Sequence, residues 1–164
     1  MKIMKNKIDE KIFFLIIFLY LFLINYFQFV DQPWFKFLDM DIVVIYNSLL
    51  ISNGFEQDYL DHPGYSYFII LGILFKILSF FMSSELFSLK EIINSENPSE
   101  NIQLLFQVSR IFNLVICFIN IFFIFKIFKI FKINKILNYS LLIITLILPA
   151  FLEVNFKIRV EGIS

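Results

Sequence analysis

Long apolar runs separated by short polar stretches are the main feature of the chain. Residues 12–30 form a run of about nineteen mostly apolar residues, enough to cross the ~30 Å hydrocarbon core of a bilayer as a helix. Residues 104–125 and 136–152 repeat this pattern. The first run ends without the small residues of a signal-peptide cleavage site, which predicts an uncleaved anchor. The pattern predicts an all-α, polytopic membrane protein with about three transmembrane helices.

Two further apolar segments lie between the first two runs, at about 40–53 and 63–82. The first is too short to span a bilayer, and Asp39 can cap its start while Gly54 can end it. The second is long enough to cross, although Lys76 interrupts it. We predict that both are interfacial helices, with a crossing by the second as the alternative.

The lysines predict the topology. Residues 1–11 and residues 126–135 each contain four lysines, and positively charged loops stay on the cytoplasmic side of a membrane. We therefore predict a cytoplasmic N-terminus and a basic cytoplasmic turn, with an even number of crossings between them. Residues 31–103 then form one outer loop. Residues 153–164 form an outer tail, which we expect to be truncated.

The composition agrees with this class of protein. Of the 164 residues, 59% are hydrophobic and 17% are charged, whereas about a quarter of the residues of a typical soluble domain are charged. The one cysteine, Cys117, excludes a disulfide framework and a Cys/His zinc pattern within this sequence. We expect membrane lipids, and no nucleic acid, among the partners.

Acidic residues and the one histidine are concentrated in the predicted outer loop. Asp39 and Asp41 open the first interfacial segment, and His62-Pro63-Gly64 opens the second. Arg110 lies near the start of the next apolar run. Carboxylates between membrane segments are costly unless they face water or take part in chemistry. This loop is therefore the candidate functional region.

The order of these motifs resembles that of GT-C-fold glycosyltransferases that use polyprenyl-phosphate sugars, such as the protein O-mannosyltransferases and the aminoarabinose transferases of lipid A. Members have an acidic residue near an interfacial helix of the first outer loop, then a His-Pro-Pro-like segment, then an Arg at the outer end of the next span. Here Asp39 and Asp41 match the acidic position, His62-Pro63-Gly64 the second motif and Arg110 the third. The resemblance covers nearly the whole chain but about the first third of a typical member.

The resemblance implies a membrane glycosyltransferase that moves a sugar from a polyprenyl-phosphate donor to an acceptor hydroxyl. It also implies a bacterial inner membrane, with the active loop facing the periplasm. Asp41 or Asp39 would act as the catalytic base or hold a divalent metal ion, and the choice between them stays open. Contacts to the donor and its phosphate are expected from the remaining polar candidates: His62, Arg110, Lys76, Arg159 and Glu161.

A non-enzymatic polytopic protein is the alternative, either a transporter fragment or a small membrane partner. On that interpretation Asp39 is a helix cap and Arg110 extends its charged group to the membrane surface. The two interpretations differ in whether the candidate residues converge on one outer cavity.

Overall fold

The structure is a computed structural model, and the part of the chain that it describes is helical. It describes the backbone of residues 2–58, 65–82, 84–149 and 151–152, and the side chains of residues 10–36, 41–58, 66–82, 86–149 and 151–152. The helices are α1 (Lys2–Asn25), α2 (Leu38–Ser52), α3 (Tyr65–Leu78), α4 (Leu89–Asn94), α5 (Pro98–Ile130) and α6 (Lys135–Ile147). A π-helical turn, Tyr26–Val30, extends α1, and 3₁₀ turns at Trp34–Phe37 and Ser84–Phe87 precede α2 and α4.

Two helical stretches, Glu10–Val30 and Pro98–Ile130, are long and apolar enough to cross a membrane. Within their most apolar windows, only 22% and 28% of the residues are buried inside the protein. Most of this apolar surface therefore faces outward, whereas a core helix of a soluble protein would be largely covered. The two stretches confirm the helices predicted at 12–30 and 104–125, and they indicate membrane association.

Helix α5 extends beyond both predicted ends. It begins at Pro98, a residue suited to the first helical turn because it has no N–H to leave unbonded. Its 33 residues are about 50 Å long, roughly 20 Å more than the hydrocarbon core of a bilayer. At its other end α5 continues through Lys126 and Lys129, so the bounds predicted for the basic turn, 126–135, are wrong. The turn occupies residues 131–134.

The predicted third crossing, 136–152, is interrupted. Helix α6 has 13 residues, about 20 Å, which is too short for a bilayer. Leu148 adopts an extended conformation with ψ of 120°, because the residue before a proline avoids the helical region and Pro149 follows. A third crossing is not confirmed and stays a prediction.

Helices α1, α5 and α6 form what we call the α1–α5–α6 bundle. α1 and α5 are antiparallel: the Lys129 ammonium lies 2.8 Å from the Glu10 carboxylate at one end, and Arg110 contacts the π-helical turn that extends α1 at the other. The buried core includes Leu21, Leu114, Cys117, Ile121 and Leu142. Phe13 of α1 stacks on Tyr139 of α6, with ring centroids 4.1 Å apart.

Helices α2, α3 and α4 pack around residues 98–109 of α5, and we call this unit the α2–α3 cap. Its core contains Ile45, Leu49, Phe68, Leu71, Phe75, Leu105 and Phe106. α2 and α3 are parallel, since Ser48 lies against Gly72 and Ser52 lies near Lys76. Residues 53–58, the described part of the connection, return along α2, where the Asp58 backbone N–H donates to the Asn47 side chain. Asp58 on this return accepts a hydrogen bond from the Tyr46 hydroxyl (2.7 Å), which raises the pKa of Tyr46.

The bounds predicted for the outer loop need three corrections. α2 begins at Leu38, so Asp39 lies inside the first turn and is not the cap that precedes it. The helix predicted at 63–82 is α3, which ends at Leu78; its predicted start at 63 and 64 lies outside the described residues. The end of the predicted outer loop, residues 84–103, contains α4 and the first turns of α5. The predicted stop at Gly54 is confirmed, because Gly54 has a φ of 80° just after α2 ends.

We predict that Gly72→Ala destabilises the cap. A Cβ at this position would lie 2.9 Å from the Ser48 carbonyl oxygen and 3.2 Å from Ile51 Cγ2. Overpacking of this kind costs about 1–3 kcal/mol, although Ala is otherwise favoured over Gly inside a helix. The free energy of unfolding in detergent micelles measures the effect. The exposed Ser66→Ala on the same helix is the control, and equal stability of the two variants would contradict the close contact.

Candidate functional site

Arg110 is a fully buried charged residue at the junction of the bundle and the cap. It lies on the fourth turn of α5, between Phe106 of the cap core and Leu114 of the bundle core. Its guanidinium carbon is 5.2 Å from the centre of the Phe106 ring, a cation–π distance. Because a buried guanidinium is costly without hydrogen-bond acceptors, its contacts determine how the chain is arranged here.

The first contact of Arg110 is with the end of α1. Its Nη1 donates hydrogen bonds to the backbone carbonyls of Phe29 (2.7 Å) and Gln32 (2.9 Å). The last carbonyls of a helix have no partner within the helix, and they form the negative end of its dipole. The cation of Arg110 therefore caps α1 through its π-helical turn.

The second contact of Arg110 is with Asp41, in the first turn of α2. Arg110 Nη2 lies 3.8 Å from Asp41 Oδ2, and the two side chains are 0% and 4% exposed. A carboxylate is favoured at the positive, N-terminal end of a helix, as the cation is at the C-terminal end of α1. The pair thus connects the end of α1 to the start of α2 with each charge at the helix end that favours it.

Three neutral polar side chains complete a buried polar layer, which we define as Asn25, Asp41, Tyr67, Arg110 and Asn113. The Asn25 amide donates to the Arg110 backbone carbonyl (3.0 Å), and the Tyr67 hydroxyl donates to the Asn113 amide oxygen. Burial and, second, the charge of Asp41 raise the pKa of Tyr67. Tyr67 is therefore a neutral phenol at physiological pH, able to donate a hydrogen bond.

A groove of about 560 Å³ lies beside the polar layer, and we call it the Trp34 groove. Its lining includes Trp34, Glu100, Asn101, Gln103 and Gln107. The Gln103 side chain accepts from the Trp34 backbone N–H (2.6 Å) and donates to the Gln32 carbonyl (3.1 Å), the same oxygen that Arg110 contacts. The Gln32 carbonyl therefore accepts hydrogen bonds both from a residue that lines the groove and from a residue of the polar layer.

Of the predicted site residues, the structure brings Asp41 and Arg110 together. Lys76 is elsewhere: it lines a cavity with Ser52 and Asn53 at the far end of α2, about 16 Å from Asp41 along the helix axis. The side chain of Asp39, together with His62, Arg159 and Glu161, lies outside the described residues.

Sequence reasoning missed Asn25, Tyr67 and Asn113. Asn25 and Asn113 are amides inside apolar runs, which is itself an indication of a buried partner. Asn113 also follows Arg110 by three positions, so the two share one face of α5. Neither pattern indicates that Tyr67 of α3 also belongs to the polar layer.

The arrangement limits the chemistry available at Asp41. Its carboxylate faces a guanidinium inside the protein and not an open cavity, so a substrate hydroxyl reaches it only if the start of α2 moves away from α5. Among the residues that the structure describes, no three His, Cys, Asp or Glu side chains are grouped as metal ligands. The side chains of Asp39 and His62 are outside that comparison.

Comparison of the chain with protein-family models, with curated proteins and with solved structures gave no match. The sequence resemblance described above therefore has no independent support from relatives.

We predict that the Asp41–Arg110 pair is strongly coupled. Asp41→Leu or Arg110→Met alone leaves one buried charge without its opposite, which costs about 3–5 kcal/mol. In the double variant the loss of unfolding free energy should fall short of the sum of the single losses by about 1–3 kcal/mol.

The Glu10–Lys129 pair is the matched control, because it also joins distant segments but its side chains are 31% (Glu10) and 45% (Lys129) exposed. Glu10→Gln and Lys129→Gln should each cost less than about 1 kcal/mol. Additive losses for Asp41 and Arg110 would show that the two side chains do not interact in solution.

Proposed function

We propose that the protein is a membrane glycosyltransferase that moves a sugar from a polyprenyl-phosphate donor to an acceptor hydroxyl. The observation that carries this proposal is the contact between Asp41 and Arg110, 3.8 Å apart. These residues lie on different helices and match two separate motifs of the glycosyltransferase pattern. Their convergence is what that pattern requires of a common site.

The arrangement of helices supports a site at the membrane surface. Glu10–Val30 and Pro98–Ile130 are antiparallel, so the N-terminal lysines and the lysines at 126–135 lie at the same end. The positive-inside rule assigns that end to the cytoplasm. The α2–α3 cap then lies on the outer face, where a donor with a lipid tail can present its phosphate and sugar to the cap.

The Trp34 groove supports a carbohydrate substrate. An indole face provides an apolar platform with a polar edge, and the side chains of Asn101, Gln103 and Gln107 provide amides. Amides both donate and accept hydrogen bonds, as sugar hydroxyls do. The groove is linked to the polar layer through the Gln32 carbonyl, which Gln103 and Arg110 both contact, so a sugar bound there would reach the Asp41 carboxylate once α2 moves away from α5.

The reaction follows from these groups. The acceptor oxygen forms a bond to the anomeric carbon of the sugar, the bond from that carbon to the phosphate oxygen breaks, and polyprenyl phosphate leaves with the electron pair. A carboxylate takes the acceptor proton, and we assign this role to Asp41 with Asp39 as the alternative. In this closed arrangement Arg110 is a positioning residue, because it donates hydrogen bonds to the Phe29 and Gln32 carbonyls and forms an ion pair with Asp41. A divalent metal ion held by the two carboxylates would stabilise the leaving phosphate.

A non-enzymatic membrane protein is the second candidate function. The observation that favours it is the burial of both Asp41 and Arg110. Arg110 stabilises the C-terminal end of α1 and Asp41 the N-terminal end of α2, so a structural role alone accounts for the pair, without a catalytic one.

We predict that the cap faces the outside of the cell. Glu96→Cys places a thiol on an exposed residue of the cap, and Phe131→Cys places one in the exposed turn at the lysine-rich end. The native Cys117 is fully buried and gives no background. An impermeant maleimide should label the first variant in intact cells and the second only after the membrane is breached. The opposite order would exclude the proposed topology.

We also predict that Asp41→Asn in the complete protein lowers kcat for sugar transfer by about a hundredfold or more. The amide keeps the shape of the carboxylate but cannot accept the acceptor proton. Donor affinity should change much less than kcat, which separates a lost base from a distorted site. Asp58→Asn, at an exposed carboxylate bonded to Tyr46, is the matched control and should leave kcat unchanged.

Asp39→Asn decides between the two carboxylates. Loss of activity in this variant, with Asp41→Asn active, would move the base to Asp39. Full activity in both would remove the base assignment, and absence of transfer by the unaltered protein with every lipid-linked donor would favour the non-enzymatic function.

A further inference from the structure

A second groove, of about 400 Å³, lies between α1 and α5 at the end opposite the cap. Its floor is made of phenylalanine rings and its rim of lysines: Phe14, Phe118, Phe122, Phe125, Lys11 and Lys126. The ring of Phe14 contacts the other three, with centroid distances of 6.1, 5.8 and 4.9 Å to Phe118, Phe122 and Phe125. The floor is therefore one continuous apolar surface, and we call the site the Phe14 groove.

The charges at the mouth of the Phe14 groove are mainly positive. Of the described residues that line it, Glu10 alone is acidic, and its carboxylate is bonded to Lys129 at 2.8 and 2.9 Å. Lys11 and Lys126 are exposed at the rim. The Lys126 ammonium lies 5.1 Å from the centre of the Phe122 ring, so the positive rim directly borders the apolar floor.

An occupant must match both parts of this surface. A free anion would match the lysines and leave the phenylalanine floor uncovered, whereas a neutral hydrocarbon would match the floor and leave the lysines without a counter-charge. An amphiphile with a phosphate and an alkyl chain matches both. A choline headgroup would bring a second cation close to Lys11 and Lys126, which like-charge repulsion disfavours.

We propose that the Phe14 groove binds one anionic glycerophospholipid. Its phosphate lies between Lys11 and Lys126, and one acyl chain lies along Phe14, Phe118 and Phe122. The groove opens on the apolar surfaces of Glu10–Val30 and Pro98–Ile130, so the second acyl chain stays in the surrounding bilayer. This site is independent of the sugar-transfer proposal, because it lies at the other end of the bundle from the polar layer.

Native mass spectrometry of the full-length protein, titrated with dioleoyl phosphatidylglycerol or dioleoyl phosphatidylcholine, tests this site. We expect the anionic lipid to bind at least about tenfold more tightly. Lys126→Gln should weaken phosphatidylglycerol binding by about fivefold, the effect of one lysine near an anionic headgroup. The same variant should leave the affinity for phosphatidylcholine unchanged. Lys90→Gln, at an exposed lysine of α4 in the cap, is the matched control and should change neither affinity.

Two further measurements complete the test. Phe122→Ala should weaken the binding of both lipids, since it removes part of the apolar floor that the acyl chain covers. Soluble glycerol 3-phosphate in tenfold molar excess should not displace phosphatidylglycerol, and displacement would identify a free-anion site and overturn the lipid proposal. Equal affinity for the two lipids, or equal effects of Lys126→Gln and Lys90→Gln, would also overturn it. Lys11→Gln repeats the test if the Lys126 variant unfolds at a lower temperature.

Discussion

The contacts of the Arg110 guanidinium hold the two halves of the structure together. Removing a guanidinium from water costs several kcal/mol, and here the cost is offset by two carbonyls at the end of α1, by Asp41 at the start of α2 and by the Phe106 ring. These contacts join segments far apart in the sequence to one point on α5. The contacts depend on one another, because a guanidinium that kept only some of these partners would remain buried without enough interactions to offset its loss of hydration.

The polar layer around Arg110 explains why one long helix serves two apolar cores. The buried core residues of α5 before Arg110, Leu105 and Phe106, belong to the cap core. Those after it belong to the bundle core: Leu114, Cys117, Ile121 and Phe125. Between the cores, Asn25 and Asn113 provide amides that bond the Arg110 backbone and Tyr67. A polar layer of this kind fixes the register of α1 against α5, since a shift by one residue would separate several hydrogen-bonded groups at once.

Local signals in the sequence predicted some elements and missed others for identifiable reasons. The apolar run at 12–30 and the stop at Gly54 depend on neighbouring residues only, and both were predicted correctly. The end of α6 at Leu148 could also have been predicted, because the conformational restriction on a residue before proline is local. The true length of α5 could not have been predicted from local signals, since its first turns are amphipathic and are stabilised by packing against α2 and α4. The order of motifs assigned Asp41 and Arg110 to one candidate site but predicted no contact between them. Their contact and its burial depend on how α1 ends, which no local pattern indicates.

The close packing of α2 on α3 determines how Asp41 could be exposed. At Gly72 the backbones of the two helices approach so closely that a Cβ would not fit, and Tyr67 of α3 is bonded to Asn113 in the same layer as Asp41. Moving the start of α2 alone would break this packing along the whole helix. Access to Asp41 therefore requires α2 and α3 to move together away from α5, which separates Tyr67 from Asn113 and Asp41 from Arg110 in one step. A substrate whose own groups replace those partners would make that movement favourable: a phosphate for Arg110 and hydroxyls for Asn113. Under the proposed function, the polar layer that holds the cap closed also supplies the groups that a phosphorylated sugar donor would bind.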